Sequence, residues 1–189
     1  ALSKLEYAQC LAGSLAWLML HQQDAVGLML FAERPLRYVP PRAVGSHLDV
    51  VLRTLAALPA QGRTRLGPAL HELAERIKRR GLVVLFSDLM DDPAEVLAGL
   101  QHFRHDHHEV VVFHLLDPDE VDFPYTDGAT FVDLESGERL TTEPWEIARR
   151  SRERLAAWSE RYRRQCRERR VEYVRIDTRT PFDLALLAY

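Results

Sequence analysis

The residues best suited to chemistry lie near the middle of the chain, in residues 81–92 with the sequence GLVVLFSDLMDD. Ser87 and Asp88 follow an unbroken apolar run, and Asp91 and Asp92 come shortly after them. Carboxylate and hydroxyl oxygens are the ligands that Mg²⁺ prefers in proteins. The same residue types also cap turns and helix starts by accepting hydrogen bonds from backbone amides. The sequence therefore leaves two interpretations open, a cation site and a set of local caps.

Thr64 is a second candidate for a cation site, because it lies in a glycine-containing loop just before a predicted helix. A hydroxyl in that position is usually a helix cap. Thr64 can contribute to a cation site only if the fold brings its loop beside Asp88.

Histidines cluster where a predicted helix ends, at His102, His105, His107 and His108. Imidazoles can bind Zn²⁺, but structural zinc sites usually have four tetrahedral ligands. Histidine at a helix C-terminus also interacts favourably with the helix dipole, and the pattern favours that explanation. His114 lies inside an apolar run, which predicts a hydrogen-bonded core residue rather than a ligand.

Residues 149–170 hold ten arginines against three glutamates. Such a face can dock an acidic partner or a phosphate backbone, but arginines spaced at helical intervals from glutamates are also typical of a solvated helix face. The chain has no GxGxxG, GxxxxGKS, GxSxG or HExxH pattern. Nothing in it therefore favours nucleotide binding, serine hydrolysis or metalloprotease chemistry.

Strand-like and helix-like patterns alternate along the whole chain. Apolar spacing predicts helices over 3–22, 46–58, 66–80, 93–104 and 144–169, with a last one from 181. Apolar runs predict buried strands at 25–32, 82–86, 109–116 and 171–178. Residues 34–42 carry three prolines, which predicts a short antiparallel edge strand returning from the first strand.

This alternation predicts an α/β fold with a mostly parallel sheet and helices on both faces. In such sheets ligands bind at the carboxyl ends of the strands, which is where Ser87 and Asp88 fall. Residues 117–143 break the pattern with an acidic loop and a predicted hairpin, in which 130–134 faces 138–142. They are interpreted as an insertion within one domain that covers residues 1–189.

The chain has 189 residues, a net charge of -3 and 47% hydrophobic residues, all ordinary for one globular domain. Its two cysteines show no paired ligand spacing, and its most apolar segment, residues 11–20, is too short to span a bilayer. A cytoplasmic protein that binds neither membrane nor nucleic acid is expected.

The order of these segments resembles the bacterial domain-of-unknown-function family 58, whose members contain a von Willebrand factor A-like domain. The resemblance covers nearly the whole chain. It is carried by residues 3–42, by GRTRLGPALHELAERIKRRGLVVLFSDLMDDPAEVL, by HEVVVFHLLDPDEVDFP, and by FVDLESGERL and VEYVRIDT. It implies a von Willebrand A-like, Rossmann-like fold.

The resemblance also implies a metal-ion-dependent adhesion site made by three loops. These carry an Asp-x-Ser-x-Ser motif after the first strand, a Thr in the second loop and an Asp in the third. Thr64 matches the second loop and Asp88 the third, with Ser87 beside it, but the first motif is absent. Arg65 stands where the family often has an acidic residue. A Mg²⁺ site in this chain is therefore expected to be incomplete, and the domain is expected to be truncated at its N-terminus.

The first strand that the resemblance implies would lie between the strand at 25–32 and the strand at 82–86. Without it, both strands would have unpaired backbone groups. Three outcomes are expected: the strand is supplied by residues outside the structure, the two strands pair directly, or a neighbour is borrowed by strand swapping or dimerisation.

The expected function is that of a non-enzymatic protein-interaction domain in which Mg²⁺ completes its coordination with a partner's carboxylate. The partner implied by the resemblance is a MoxR-type AAA ATPase or its client. Two alternatives stay open. One is a metal-assisted hydrolase or phosphatase that uses Asp88, Asp91 and Asp92, and the other is an adaptor that binds acidic partners through the arginine face.

Overall fold

The computed structural model describes residues 2–58, 64–124, 129–132, 139–142 and 144–187, with the backbone alone described between 129 and 147. The helices are α1 Lys4–His21, α2 His47–Ala56, α3 Leu66–Arg76, α4 Pro93–His105, α5 Pro118–Asp122, α6 Pro144–Glu168 and α7 Phe182–Leu187. The strands are β1 Val26–Phe31, β2 Pro35–Arg42, β3 Leu82–Ser87, β4 Glu109–Leu116, β5 Ala129–Val132, β6 Arg139–Thr142 and β7 Glu172–Asp177.

Strands β3, β4 and β7 form a parallel sheet in that order. The strand β4 lies in the middle, and every one of its residues after Glu109 is buried. Val110 and Val112 pack into a cluster with α3, α4 and α6, whereas Val111 and Phe113 pack into a second cluster with α1 and α7. Helices therefore cover both faces of the parallel sheet, as the alternation of patterns predicts.

Strands β1 and β2 form a separate antiparallel pair. This confirms the prediction that the proline-rich segment returns as an antiparallel strand beside the first one. Ala16 of α1 and Val51 and Leu55 of α2 cover this pair and form a third apolar cluster with Leu30 of β1.

The prediction of a single mostly parallel sheet is wrong in one respect, because no hydrogen bonds join β1 to β3 among the described residues. The expectation that these two strands pair directly is therefore also wrong. Helix α1 contacts both strands, and the Arg65 amide donates to the Ala32 carbonyl at the end of β1 (3.0 Å). These contacts hold the two sheets next to each other without joining them.

The acidic segment that starts at residue 117 was predicted as a loop, but Pro118–Asp122 forms the short helix α5. Asp117 and Glu120 form a capping box, and Pro118 occupies the first turn, where its missing N–H costs nothing. The predicted hairpin is confirmed in the backbone by the antiparallel pairing of β5 with β6. Its predicted turn at residues 135–137 lies outside the described residues.

Candidate functional site

Ser87 and Asp88 lie where β3 ends, and both accept local hydrogen bonds. The Ser87 hydroxyl accepts from the Leu89 amide (3.0 Å), and Asp88 Oδ1 accepts from the Met90 amide (3.2 Å). Leu89 has a left-handed φ of 57°, which is unusual for a residue other than glycine, and its side chain is fully buried. The two polar side chains thus satisfy the amides of a strained turn that is anchored in the core.

The second oxygen of Asp88 binds a lysine. Lys4 Nζ lies 3.0 Å from Asp88 Oδ2 and 2.7 Å from Glu120 Oε1, so that one ammonium joins the start of α1, the end of β3 and α5. Burial lowers the pKa of Lys4, but the charge of Asp88 and the hydrogen bond to Glu120 outweigh it and leave that pKa raised. Lys4 is therefore cationic at neutral pH. We call Lys4, Asp88 and Glu120 the Lys4 triad.

The loop that carries Thr64 lies beside the loop that follows β3. The Leu66 amide at the start of α3 donates to Asp91 Oδ2 (2.5 Å), and Asp92 caps α4 by accepting from the Ala94 amide (2.8 Å). Thr64 itself is exposed and makes no hydrogen bond to another described residue. The structure therefore brings the two predicted loops together, and among the described residues Asp88 is hydrogen-bonded to Lys4 and Met90 rather than to Thr64.

The residues present do not fit a bound Mg²⁺. Asp88 and Ser87 offer hard oxygens, but the Lys4 ammonium lies 3.0 Å from the carboxylate that would hold the ion. In the part of the chain that the structure describes, no three His, Cys, Asp or Glu side chains converge as a metal-binding group. Mg²⁺ demands a near-octahedral oxygen set, which one carboxylate and two hydroxyls do not supply.

His114 lies in β4, directly beside Ser87 in the sheet register. It is fully buried, and its Nδ1 lies 2.5 Å from the Tyr173 hydroxyl, which confirms the predicted core role. Burial lowers the pKa of His114 to about 4, although the backbone and charge of Asp88 oppose this shift. His114 is thus neutral at pH 7 and shielded from a ligand at the sheet edge.

The predicted histidine cluster separates into different environments. His105 is exposed and contacts Asp106, whereas His108 is buried and its Nδ1 accepts from the Gly81 amide (3.2 Å). His102 turns instead towards His71 of α3, with their Nδ1 atoms 3.1 Å apart. Sequence reasoning missed His71, because it lies 31 residues away from its partner.

Helix α6 places its arginines on the outside. Tyr162 and Cys166 face the core, while nearly all of the described arginines of this helix are exposed. Some pair with glutamates, as Arg163 does with Glu160 (3.1 Å). Three arginines near the end of the helix line a cleft of about 330 Å³ together with Tyr173 of β7: Arg163, Arg167 and Arg170.

Curated relatives with detectable similarity have no established function. The uncharacterized proteins Rv1480 of Mycobacterium tuberculosis and Mb1516 of Mycobacterium bovis are each 28% identical over 137 residues, which is 71% of this chain and 43% of the relative. This chain therefore spans less than half the length of the curated relatives that it matches. No helix in the described part of the chain is long and apolar enough to cross a membrane.

Two solved structures share the fold. An aerotolerance-related membrane protein from Bacteroides fragilis matches with a TM-score of 0.56 and 18% identity, over 97% of this chain and 85% of that one. The conserved hypothetical protein BatB from Bacteroides thetaiotaomicron matches with a TM-score of 0.54 and 15% identity, over 97% and 84%. The family described as "Protein of unknown function DUF58" matches residues 1–165. This match covers most of the chain, which therefore belongs to the DUF58 family.

Proposed function

We propose that this chain is a non-catalytic protein-interaction domain of the von Willebrand A-like type, and that the carboxyl edge of its parallel sheet binds the partner. The observation that carries this proposal is the Lys4 triad. Its three side chains come from three elements and are partly exposed, at 27% for Lys4, 38% for Asp88 and 31% for Glu120. A charged group that is both positioned by the fold and accessible is suited to recognising a partner.

One Lys4 ammonium faces two carboxylates at this edge, so the Lys4 triad carries a net charge of −1. An ammonium has three N–H donors, and Lys4 uses two of them on Asp88 and Glu120. The third donor can be given to a hydrogen-bond acceptor of a partner, and the two carboxylates favour a partner that brings a basic side chain beside that acceptor. Mg²⁺ would have to displace Lys4 and find further oxygen ligands, such as the Asp-x-Ser-x-Ser loop implied by the family resemblance.

The partner that the family resemblance implies is a MoxR-type AAA ATPase or its client. We place the domain in the cytoplasm, where a MoxR-type ATPase would have access to ATP. The metal-assisted hydrolase receives less support, because Asp91 and Asp92 accept backbone hydrogen bonds at the starts of α3 and α4. His114, the histidine nearest to Asp88 in the sheet, is buried and hydrogen-bonded to Tyr173.

The test is a pull-down of a MoxR-type ATPase from the same organism, with and without a chelator. We expect Lys4→Met and Asp88→Asn to weaken binding about tenfold or more, because the first leaves two carboxylates without their counter-charge and the second removes one of the two carboxylates that hold Lys4. The matched control is Lys78→Met, since Lys78 is exposed and lies outside the triad. Binding that is unchanged in Lys4→Met and in Asp88→Asn would defeat the proposal. Binding abolished by the chelator would show that a bound metal ion, and not Lys4, supplies the positive charge of the binding site.

A second candidate function rests on the arginine cleft at the end of α6. The cleft is lined by three guanidinium groups and by one carboxylate, that of Glu172, and this excess of positive charge favours an acidic protein segment, because arginine binds carboxylates through paired donors. This candidate predicts binding that weakens steeply with salt and survives Asp88→Asn. The pull-down at low and high ionic strength therefore distinguishes the two candidates.

A further inference from the structure

We propose that His71 and His102 form a chelating site for a divalent transition-metal ion, with Zn²⁺, Cu²⁺ and Ni²⁺ as the suitable class. The site lies between α3 and α4 and is separate from the Lys4 triad. Both helices begin at the carboxyl edge of the sheet, where Asp91 joins their starts, and they run towards its opposite edge. The proposed function and this site therefore involve different residues and can fail independently.

The geometry of the two imidazoles suits a shared ion. Their Nδ1 atoms lie 3.1 Å apart, and their ring centroids are 5.3 Å apart with a tilt of 46°. An ion held by two histidine nitrogens at about 2.0–2.1 Å in a tetrahedral arrangement separates those nitrogens by roughly 3.4 Å. A movement of a few tenths of an ångström would thus admit the ion. Imidazole nitrogen suits Zn²⁺, Cu²⁺ and Ni²⁺ but not Mg²⁺.

Close helix packing holds the two rings in place. A Cβ atom added to Gly99 would lie 2.7 Å from the Leu70 Cβ, and one added to Gly67 would lie 2.7 Å from the Glu95 Cβ. These glycines let α3 and α4 approach closely just before His71 and His102. The two ligands are therefore positioned by a rigid contact between helices, which reduces the entropy lost on binding.

Asp106 lies on the other side of the His102 ring. Its Oδ2 is 3.9 Å from His102 Nε2, so a small shift would let Nε2–H donate to the carboxylate while Nδ1 binds the ion. Metal-binding histidines usually have such an outer partner, which fixes the tautomer and makes the ligand more basic.

The site is open to water. A cleft of about 380 Å³ lies beside His102, and its charged lining is mixed: Glu75, Lys78, Arg79 and Asp106. No three metal-binding side chains converge in the described part of the chain, so water or an external ligand would have to complete the coordination of the ion. His108 also lines the cleft, but its Nδ1 is engaged by the Gly81 amide. The ion would therefore be held by two imidazoles and be accessible to an external ligand.

Calorimetric titration of the protein with Zn²⁺ at neutral pH tests the site. We expect one ion per chain, and we expect His71→Ala and His102→Ala each to weaken binding about tenfold or more, at least as much as loss of an outer partner. His21→Ala is the matched control, because His21 is exposed and lies on α1, outside this site.

Thermal unfolding followed by circular dichroism keeps the test decisive if a variant is less stable. Zn²⁺ should raise the midpoint of the wild type and of His21→Ala, and leave the midpoints of His71→Asn and His102→Asn unchanged, because only a folded state with both imidazoles binds the ion. A wild type that binds no Zn²⁺, or variants at His71 and His102 that bind it as tightly as the wild type, would overturn the proposal. In that case the pair is only a hydrogen bond between helices.

Discussion

His114 is a residue whose ionisation is coupled to folding. In the unfolded chain a histidine has its ordinary pKa of 6.5, whereas burial lowers the pKa of His114 to about 4 in the fold. Between these values the unfolded state binds more protons, so the free energy of unfolding falls as the pH falls. We expect a loss on the order of 2–3 kcal/mol between pH 7 and pH 4.5, measured by urea unfolding.

The variant His114→Asn isolates this effect, because asparagine can still hydrogen-bond the Tyr173 hydroxyl but does not titrate. Its stability should change much less between pH 7 and pH 4.5 than that of the wild type. His105→Asn, at an exposed position, should keep the wild-type dependence. A His114→Asn variant whose pH dependence runs parallel to the wild type would show that other groups cause the change.

Residue-level prediction from sequence succeeded where the chemistry is local. Ser87 and Asp88 were found because they follow a buried strand, and their turn-capping role follows from residue type. Lys4 and Glu120 were missed, because Lys4 meets Asp88 and Glu120 across separations of 84 and 116 residues, with no spacing signal between them. His71 was missed for the same reason.

At the scale of elements, the contact between α3 and α4 depends on Gly99. A methyl group there would meet the Leu70 Cβ at 2.7 Å, so we expect Gly99→Ala to cost about 1–3 kcal/mol through overpacking, despite its better helix propensity. Gly45→Ala is the control, because its added Cβ meets nothing within 4 Å. Urea midpoints compare the two variants. If both variants kept the wild-type midpoint, the close helix contact would be unimportant for stability.

Element boundaries were predicted best where capping residues mark them. Ser3 and Glu6 form the predicted capping box of α1, and Gly81 precedes β3 as expected. Helix α3 was predicted to reach Arg80, but it ends at Arg76 because Ile77 adopts an extended conformation. The helix α5 was missed because five residues are too few to show a helical period.

At the scale of the whole molecule, the two sheets leave β1 and β3 unjoined. Among the described residues β3 pairs only with β4, and Leu82 at its start is 45% exposed. An unpaired strand edge is a template for another chain. We therefore expect concentration-dependent dimerisation in sedimentation velocity, and we expect Leu82→Lys to reduce it. Val50→Lys, on α2 and equally exposed at 45%, is the control.

A single monomeric species over the whole concentration range would contradict this expectation.

The alternation of patterns predicted the α/β class and the helices on both faces, because these depend on apolar periodicity. It did not predict how strands with large separations pair, since pairing depends on the whole chain. The absence of hydrogen bonds between β1 and β3 among the described residues therefore does not follow from the sequence pattern.

The middle position of β4 also has a consequence for how the chain is made. Its partners in β7 lie about 60 positions later, as when Val111 pairs with Glu172. During synthesis at roughly 5–20 residues per second, β7 is delayed by several seconds after β4 has emerged. Throughout that interval β4 lacks one of its two neighbours. The nascent chain therefore needs protection from aggregation at β4 until β7 has been made, although β4 is almost entirely buried in the finished fold.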